Sequence, residues 1–522
     1  MPTIALGPIL YARTATQASL WSFGIGVLVD GASATELEAA RLAIDGAEPV
    51  APAYLHEFRV QDIGRQRVFV RWDVELPRTA EARRVEYRVE IPGTAPIAVD
   101  GVRVPGSAEL PSIGFFSCNG VSSSKLWHRL PRPFERWEEL AQTQANGALD
   151  LLIGGGDQIY ADSIWDLPGL RPFVECDWQK KVGGTETTAA LAAEVLAGYV
   201  DLYVERWKQP HMSFVLARVP TLFTWDDHDV FDGWGSHEKL QQTPVFKAIF
   251  AQARRAFVTF QLGGLTDARP AGAELLRTFR FAGGPNGRDV VDIVLPDTRS
   301  HRETNQVLGE AQWAELDRWF VEREADRKEL GYRHVLFVSP VPVVYLRFSG
   351  IVESGGWIAN LRDDLVDQWE SRHHRGERAR LIMTLLEHQA RSRSAVTILS
   401  GDVHVGARAE IRSRNPRHAL LGQPEVVINQ VTSSGIVHPP PSRLEHRGML
   451  ALSSSKPDDI GQGVETVSIP IGEEDHLLAR NYLFIEFDEP KDDRKQRCRM
   501  WIEYRAGDLS PQTKIVVETS SG

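Results

Sequence analysis

The stretch LLIGGGDQIYAD, from Leu151 to Asp162, decides the fold prediction for this chain. Its apolar run breaks into three glycines and then presents Asp157, with Tyr160 three positions later. That order of residues is typical of a buried parallel strand that ends at the carboxyl edge of an α/β sheet, where sites are usually built. A strand followed by a turn and a solvated aspartate has the same local sequence, so the stretch alone leaves the function open.

The same pattern occurs at two more apparent strand ends. The segment LFTWDDHDVFD contains Asp227 and His228, and the segment VTILSGDVHVG contains Asp402 and His404. Hydrolysis of a phosphoester by a metal pair needs a bridging carboxylate with further oxygen and nitrogen ligands, and the strand ends of one sheet can supply them. In this interpretation Asp157 bridges the metals, and a protonated His228 donates a proton to the leaving oxygen.

Length and composition restrict the class of protein. The chain has 522 residues, of which 42% are hydrophobic and 25% are charged, as in ordinary globular proteins. The formal net charge of −11 disfavours binding to polymeric nucleic acid. Three widely separated cysteines argue against a disulfide framework, and no apolar run approaches the ~18 residues of a spanning helix. Because the first thirty residues resemble no export signal, we expect a soluble cytoplasmic protein that does not bind membranes.

The residues from 1 to 108 are predicted to form a β-sandwich-like N-terminal domain. Short segments with alternating apolar residues occur there, as in Val68, Val70 and Trp72. One short helix is expected between Ser33 and Ile44, because Ser33 begins a capping-box sequence. The domain has no cluster of titratable residues, so a packing or substrate-gating role is expected for it.

The residues from 109 to 519 are predicted to form the catalytic domain, including three C-terminal strands. Strands alternate with helices in this range, which is typical of an α/β fold. Apolar and aromatic residues recur at every fourth position from Leu191 to Trp207, and we expect them to form the buried face of a helix. The irregular segment from Phe348 to His374, around Trp357 to Trp369, is expected to be a lid or a part of the site.

Five motifs together resemble one family. They are FFSCNG, GGDQIYAD, TWDDHD, LPDTRS and LSGDVH, in this order between Phe115 and His404. The chain resembles the PhoD-like alkaline phosphatase family of the calcineurin-like metallophosphoesterase superfamily. The resemblance implies an N-terminal β domain joined to a metal-dependent αββα sandwich, and a phosphoric ester hydrolase activity.

The resemblance also implies a role for each matching residue. Cys118 takes the first metal-ligand place, and Tyr160 takes the place of the phenolate that binds ferric iron in this family and in purple acid phosphatases. The implied catalytic residues are Asp157, as the bridging ligand, and His228, as the acid. The complete set of implied metal ligands is Cys118, Asp157, Tyr160, Asp227, Asp402 and His404.

The implied ligands favour two different metal ions. By the resemblance, the thiolate, phenolate, carboxylate and imidazole suit Fe³⁺. Asp227 stands where the wider superfamily has an asparagine and Asp402 where it has a histidine, and their carboxylate oxygens suit Ca²⁺, Mg²⁺ or Mn²⁺ better than Zn²⁺. Arg299 resembles the arginine of the family's D-T-R motif, which implies either a clamp on a phosphate oxygen or an ion pair with Asp297 or Asp292.

The predicted function is hydrolysis of small-molecule phosphate esters, of the alkaline phosphatase or phosphodiesterase type, by a hydroxide on the metal pair. Two alternatives stay open: a phosphodiesterase with a narrow natural substrate, and a metal-stabilised binding protein without catalysis. The sequence does not decide the natural substrate, the oligomeric state, or whether Asp162 or Asp232 is a ligand.

Overall fold

The structure is a computed structural model that describes residues 1–265, 273–284, 287–326, 329–348, 367–419, 425–454, 456–488 and 498–519. The described residues form 24 strands, which are β1 Thr3–Ala12, β2 Leu20–Asp30, β3 Arg41–Ile44, β4 Ala47–Val50, β5 Tyr54–Phe58, β6 Arg67–Pro77, β7 Arg83–Glu90, β8 Ile97–Val104, β9 Ile113–Phe116, β10 Leu151–Gly155, β11 Thr221–Thr224, β12 Arg277–Gly283, β13 Asp289–Leu295, β14 Arg333–Ser339, β15 Arg347–Phe348, β16 Ala395–Ser400, β17 Ala407–Ser413, β18 Val426–Thr432, β19 Ser453–Ser454, β20 Asp458–Gly461, β21 Val464–Ile469, β22 Tyr482–Phe487, β23 Arg499–Arg505 and β24 Ile515–Glu518.

Helices connect these strands. The α-helices of the described residues are Ala34–Leu37, Val60–Ile63, Ser124–Trp127, Glu135–Ala145, Arg171–Glu175, Trp178–Gly183, Ala189–Trp207, Pro210–Leu216, Glu238–Gln241, Pro244–Phe260, Glu310–Ala325, Arg375–Ser392 and Arg443–Leu452. Short 3₁₀ helices cover Ala161–Asp166, Asp227–Asp229 and Pro416–His418. Within the described ranges, no helix has the length and apolar character needed to cross a membrane.

Two large sheets form the centre of the molecule. One has the strand order β24-β23-β22-β9-β10-β11-β1-β2-β6-β5, and the other has the order β12-β13-β14-β16-β18-β17-β21-β20. The predicted strand at LLIGG is confirmed as β10, which runs parallel to both β9 and β11. In the second sheet β13, β14, β16 and β18 are parallel neighbours.

Alternating side chains explain how the layers stack. Ile153 of β10 and Leu336 of β14 belong to one core between the two sheets. Their neighbours Leu152 and Phe337 point to the opposite faces, where separate cores pack against helices such as Ala189–Trp207 and Arg375–Ser392. Because successive residues of a strand point to opposite faces, each inner strand is buried on both sides. The result is the predicted αββα sandwich, so the fold class is confirmed.

The N-terminal residues contribute to two sheets. Strands β3, β4, β7 and β8 form a four-stranded sheet, whereas β1, β2, β5 and β6 extend the first large sheet. The junction is a parallel pair between β1 and β11, with Tyr11 opposite Thr221. The boundary predicted at residue 108 falls between β8 and β9, and this large sheet continues across it.

Local patterns were predictive where long-range pairing did not intervene. The helix Ala189–Trp207 carries the expected buried aromatic stripe, and the three C-terminal strands close the first sheet through β22 and β9. The capping box at Ser33 is present, but its helix ends at Leu37. The expected continuation to Ile44 is wrong, because Arg41–Ile44 pairs with β7 as strand β3.

Candidate metal centre

The predicted site residues follow the ends of parallel strands, and many of them have an unusual backbone conformation. Among the described residues, nine that are not glycine have φ in the left-handed region, and five of the nine are predicted metal ligands. These five are Cys118 (52°), Asp157 (57°), Tyr160 (50°), Asp402 (67°) and His404 (56°). A left-handed conformation costs ~1–3 kcal/mol for such residues and is concentrated at functional sites. The turns therefore hold these side chains at an energetic cost.

Four carboxylates form the oxygen-rich part of the centre. Each of Asp157, Asp226, Asp227 and Asp402 offers one oxygen, and these atoms all lie within 4.8 Å of one another. Gly156 allows this approach, because it has φ +107° and a Cβ there would lie 2.8 Å from the Asp226 Cβ atom. Burial, together with the Cys118 thiol and the Asp226 carboxylate, raises the pKa of Asp157 well above its ordinary value.

The carboxylate cluster fits a metal ion. Among the described residues, the buried Oδ1 of Asp157 and the buried Oδ2 of Asp226 have no hydrogen-bond partner. A buried polar atom without a partner is costly, and a bound cation would satisfy both oxygens. Closely spaced carboxylates also repel one another unless a cation or protons neutralise them.

A sulfur, a phenol and an imidazole lie next to the carboxylates. The Cys118 Sγ atom is 3.4 Å from Oδ2 of Asp157 and 3.0 Å from Oγ of Ser434. The Tyr160 hydroxyl oxygen is 3.1 Å from Nε2 of His404. Donors bound side by side to one cation, each at ~2.1 Å, lie ~3 Å apart, so this pair has a suitable spacing. Burial lowers the pKa of His404 well below its ordinary value, which favours the neutral form that ligates metals.

His228 is held beside this set by a carboxylate. Its Nδ1 atom lies 2.9 Å from Oδ2 of Asp162, and its ring stacks on that of Tyr160 with centroids 4.3 Å apart. Burial opposes protonation, but Asp162 and Asp227 outweigh it, and the pKa of His228 is raised well above its ordinary value. The protonated His228 imidazole can therefore donate a proton to a group bound at the centre. Asp227, His228 and Asp232 also form a second group with metal-ligand spacing.

The guanidinium of Arg299 has partners other than those proposed from the sequence, although the backbone N–H of Arg299 donates to Asp297 over 3.1 Å. Its fully buried guanidinium donates to Asp226 over 2.5 Å, to the Trp234 carbonyl over 2.7 Å and to both oxygens of Asp367 over 2.9 and 2.7 Å. Asp292 instead receives two hydrogen bonds from Arg280. The alternative of an ion pair with Asp297 or Asp292 is thus corrected to one with Asp226 and Asp367.

The sequence interpretation missed two groups in the centre. Asp226 lies in the TWDDHD motif, but the resemblance implies a ligand role only for the next residue, Asp227. His438 lies outside the five motifs, although its ring stacks on that of His404 with centroids 3.4 Å apart. The sequence does contain a signal for His438: strand β18 ends at Thr432, the run of small residues TSSG continues to Gly435, and the histidine follows three positions later.

The expected lid is described only in part. Residues 349–366, including Trp357, lie outside the described residues. The part that follows is well buried: Trp369 donates to Oγ of Ser339 over 3.1 Å, and Asp367 pairs with Arg299 and Arg302. Through Arg299, the C-terminal part of the segment therefore contacts the candidate centre.

Comparison with known sequences points to one family. Residues 127–361, somewhat less than half of the chain, match the family described as PhoD related phosphatase. The chain is also 26% identical over 420 residues to the uncharacterized protein YGR266W of Saccharomyces cerevisiae. That alignment covers 68% of this chain and 58% of the yeast protein, so the chain spans less than two thirds of its relative.

Two solved structures share the fold. The structure of PhoD has a TM-score of 0.55 at 14% identity, over 98% of this chain and 88% of PhoD. The purple acid phosphatase PPD1 from seeds of yellow lupin (Lupinus luteus) has a TM-score of 0.51 at 10% identity, over 99% of this chain and 74% of PPD1.

The four-layer fold is shared with PhoD and with a purple acid phosphatase, and one edge of it carries clustered carboxylates that could hold a metal ion. The resemblance to PhoD-like phosphatases that the five motifs predict is confirmed by the family match and by the shared fold.

Proposed function

We propose that the protein hydrolyses small-molecule phosphate esters with metal ions bound at this centre. The observation that carries the proposal is the convergence of Asp157, Asp226, Asp227 and Asp402 within 4.8 Å, with a buried unpartnered oxygen on Asp157. Metal ions bound there would neutralise the phosphoryl oxygens and activate a water molecule. The proposed cytoplasmic location follows only from the sequence prediction.

The residues of the chain have separate tasks in this proposal. Asp157 bridges the two halves of the centre, because it contacts Cys118 on one side and belongs to the carboxylate cluster on the other. His228 donates a proton to the leaving oxygen, and Asp162 holds its imidazole through Nδ1. Arg299 keeps Asp226 in place and is a positioning residue instead of a phosphate clamp.

For the metal ions we propose Fe³⁺ near Cys118, Tyr160 and His404, and a harder divalent ion such as Ca²⁺ among the carboxylates, with Mn²⁺, Mg²⁺ and Zn²⁺ as alternatives. Phenolate and thiolate bound to ferric iron absorb visible light, whereas a centre that holds only Ca²⁺, Mn²⁺, Mg²⁺ or Zn²⁺ is colourless. Iron-loaded wild-type protein should be coloured, and Tyr160→Phe should lose the phenolate part of the band. Colourless iron-loaded protein would contradict the role of Tyr160.

The activity is tested with an aryl phosphate monoester and an aryl phosphodiester after metal reconstitution. Wild type should hydrolyse at least one ester, and Asp157→Asn should lose that activity by several orders of magnitude while keeping its fold. Asp100→Asn, at a largely exposed carboxylate remote from the centre, is the matched control and should retain activity. The preferred ester decides between a monoesterase and a phosphodiesterase. Absence of turnover in metal-loaded wild type would instead favour a specialised substrate or a binding protein.

A further inference from the structure

We propose that His438 is a positioning residue that aligns His404 and Tyr160 for metal binding. This inference rests on the proposed function, because it assigns a task within the same metal centre. It concerns a residue outside the five family motifs, on the loop that follows strand β18.

His438 takes part in a column of four rings. Its imidazole lies on that of His404 with centroids 3.4 Å apart and planes inclined by 16°, and 5.7 Å from the Tyr160 ring with planes inclined by 20°. Tyr160 in turn stacks on His228 at 4.3 Å and 25°. The two candidate ligand atoms, the hydroxyl oxygen of Tyr160 and Nε2 of His404, are 3.1 Å apart. Both belong to rings that face His438.

Two hydrogen bonds fix His438 itself. Its backbone N–H donates to the Cys118 carbonyl over 3.2 Å, and its Nδ1 lies 2.8 Å from the carbonyl oxygen of Pro439. Because a carbonyl oxygen only accepts, Nδ1 carries the proton. Pro439 is followed by two further prolines, which restrict the backbone after the histidine. The ring is therefore held at a fixed orientation against the two ligands and is linked to a third, Cys118.

The position of His438 explains how two ligands with left-handed backbones can keep their side chains aligned. Tyr160 and His404 come from different strand ends and approach the same point from separate turns. Groups that orient metal ligands without binding the metal typically contribute a factor of about 10–100 in metal affinity. A flat ring at position 438 supplies that orientation by contact with His404 and Tyr160. The backbone bond to Cys118 and the following prolines stay in place without the ring nitrogens, so we expect the loss of the Nδ1 hydrogen bond to matter less than the loss of the ring.

The test compares His438→Ala with His438→Phe, which keeps a flat ring and lacks the nitrogens. Metal binding is measured by titration of the full chain with Fe³⁺ or Mn²⁺ against a competing chelator, together with the ultraviolet difference band of tyrosinate. We expect His438→Ala to weaken binding by about 10–100-fold and to form tyrosinate only at higher metal concentration. His438→Phe should stay within about threefold of wild type. His211→Ala, at an exposed histidine, is the control.

The outcomes separate this inference from the proposed function. If His438→Ala binds metal as wild type does, or if His438→Phe is as weak as His438→Ala, the positioning role of the ring is wrong. If wild type binds no metal, the proposed function itself fails. His438→Leu, which is close in volume to histidine, replaces the alanine variant if that variant does not fold, and the same loss of affinity is expected for it.

Discussion

Arg299 donates from Nε to Oδ1 of Asp226 over 2.5 Å, and both side chains are shielded from solvent. The same guanidinium donates to both oxygens of Asp367. Burial raises the pKa of Asp226 to about 7, and the Arg299 guanidinium opposes this rise. The Arg299 guanidinium therefore links the carboxylate cluster to the part of the Phe348–His374 segment that contains Asp367.

Replacement of Arg299 should lower stability more than it changes substrate binding. Removal of one partner of a buried ion pair leaves uncompensated charge, so Arg299→Ala should reduce the free energy of unfolding by ~3–5 kcal/mol. Arg299→Lys should lose less, because it keeps the charge without the bidentate geometry. Denaturant unfolding measures both. Arg132→Ala, at an exposed ion pair, should change stability by less than ~1 kcal/mol.

A different result would favour the interpretation of Arg299 as a clamp on a phosphate oxygen. If Arg299→Ala raised the KM for phosphate esters and left stability unchanged, the guanidinium would act as a clamp on the substrate. Its present contacts make that result unexpected, since protein oxygens accept from Nε and from both terminal nitrogens.

Asp157→Asn should have opposite effects on stability with and without metal. In a chelator, removal of one charge from four clustered carboxylates should raise the free energy of unfolding by about 1 kcal/mol. With metal at 100 times its Kd, wild type should gain ~2.7 kcal/mol, and the variant should gain much less. Thermal unfolding in both conditions checks this. Asp100→Asn should follow wild type, and a variant destabilised in chelator would contradict the repulsion argument.

The architecture was predictable from the sequence because the central strands are short, apolar and buried on both faces. Alternation between Leu152 and Ile153 assigns them to different cores, but it does not identify the neighbouring strand. The pairing of Tyr11 with Thr221 joins segments about 200 residues apart, and nothing local specifies it. Strand β3 shows the same limit: the helix predicted from Ser33 does form, but it ends at Leu37 because Arg41–Ile44 pairs with β7.

The proximity of side chains was predictable where they follow a strand end directly, as for Asp157, Asp402 and His404. Side-chain direction was not predictable, so Asp226 could not be distinguished from Asp227 by its position. The partners of Arg299 depend on Asp367, a residue 68 positions away that becomes adjacent only in the folded chain. Motifs thus identify residue types, while contacts between distant segments assign their tasks.

Stability should fall in acid partly because of His334, the second residue of strand β14, whereas the candidate metal ligands follow the carboxyl ends of β9, β10, β11 and β16. Burial lowers the pKa of His334 to about 3, and its ring packs 5.2 Å from that of Phe487. The unfolded chain, with a histidine pKa of about 6.5, takes up the proton first as pH falls, so stability is present above pH ~6.5 and is lost below it.

His334→Leu should remove this component of the acid sensitivity. Between pH 6.5 and 4.5 one such histidine costs up to ~2.7 kcal/mol, so the variant should lose that much less stability than wild type over the same interval. Chemical unfolding at a series of pH values measures the difference. The exposed His211→Leu should keep the wild-type pH dependence, and a parallel curve for His334→Leu would show that the residue is not neutral and buried.

The contact between His228 and Asp162 predicts that the loss of kcat/KM on replacing either residue depends on the acidity of the leaving group. Asp162 holds Nδ1 of His228 at 2.9 Å and also accepts from the backbone N–H of Asp232 over 2.8 Å, which fixes the carboxylate. His228→Asn should lower kcat/KM by ~10²–10⁴ for an alkyl phosphate, whose leaving oxygen needs a proton, and by less for an aryl phosphate with an acidic phenol. Asp162→Asn should act in the same direction with smaller losses, whereas Asp100→Asn should leave both rates unchanged. Equal losses on both esters would show that His228 serves metal binding with Asp227 and Asp232 instead of proton transfer.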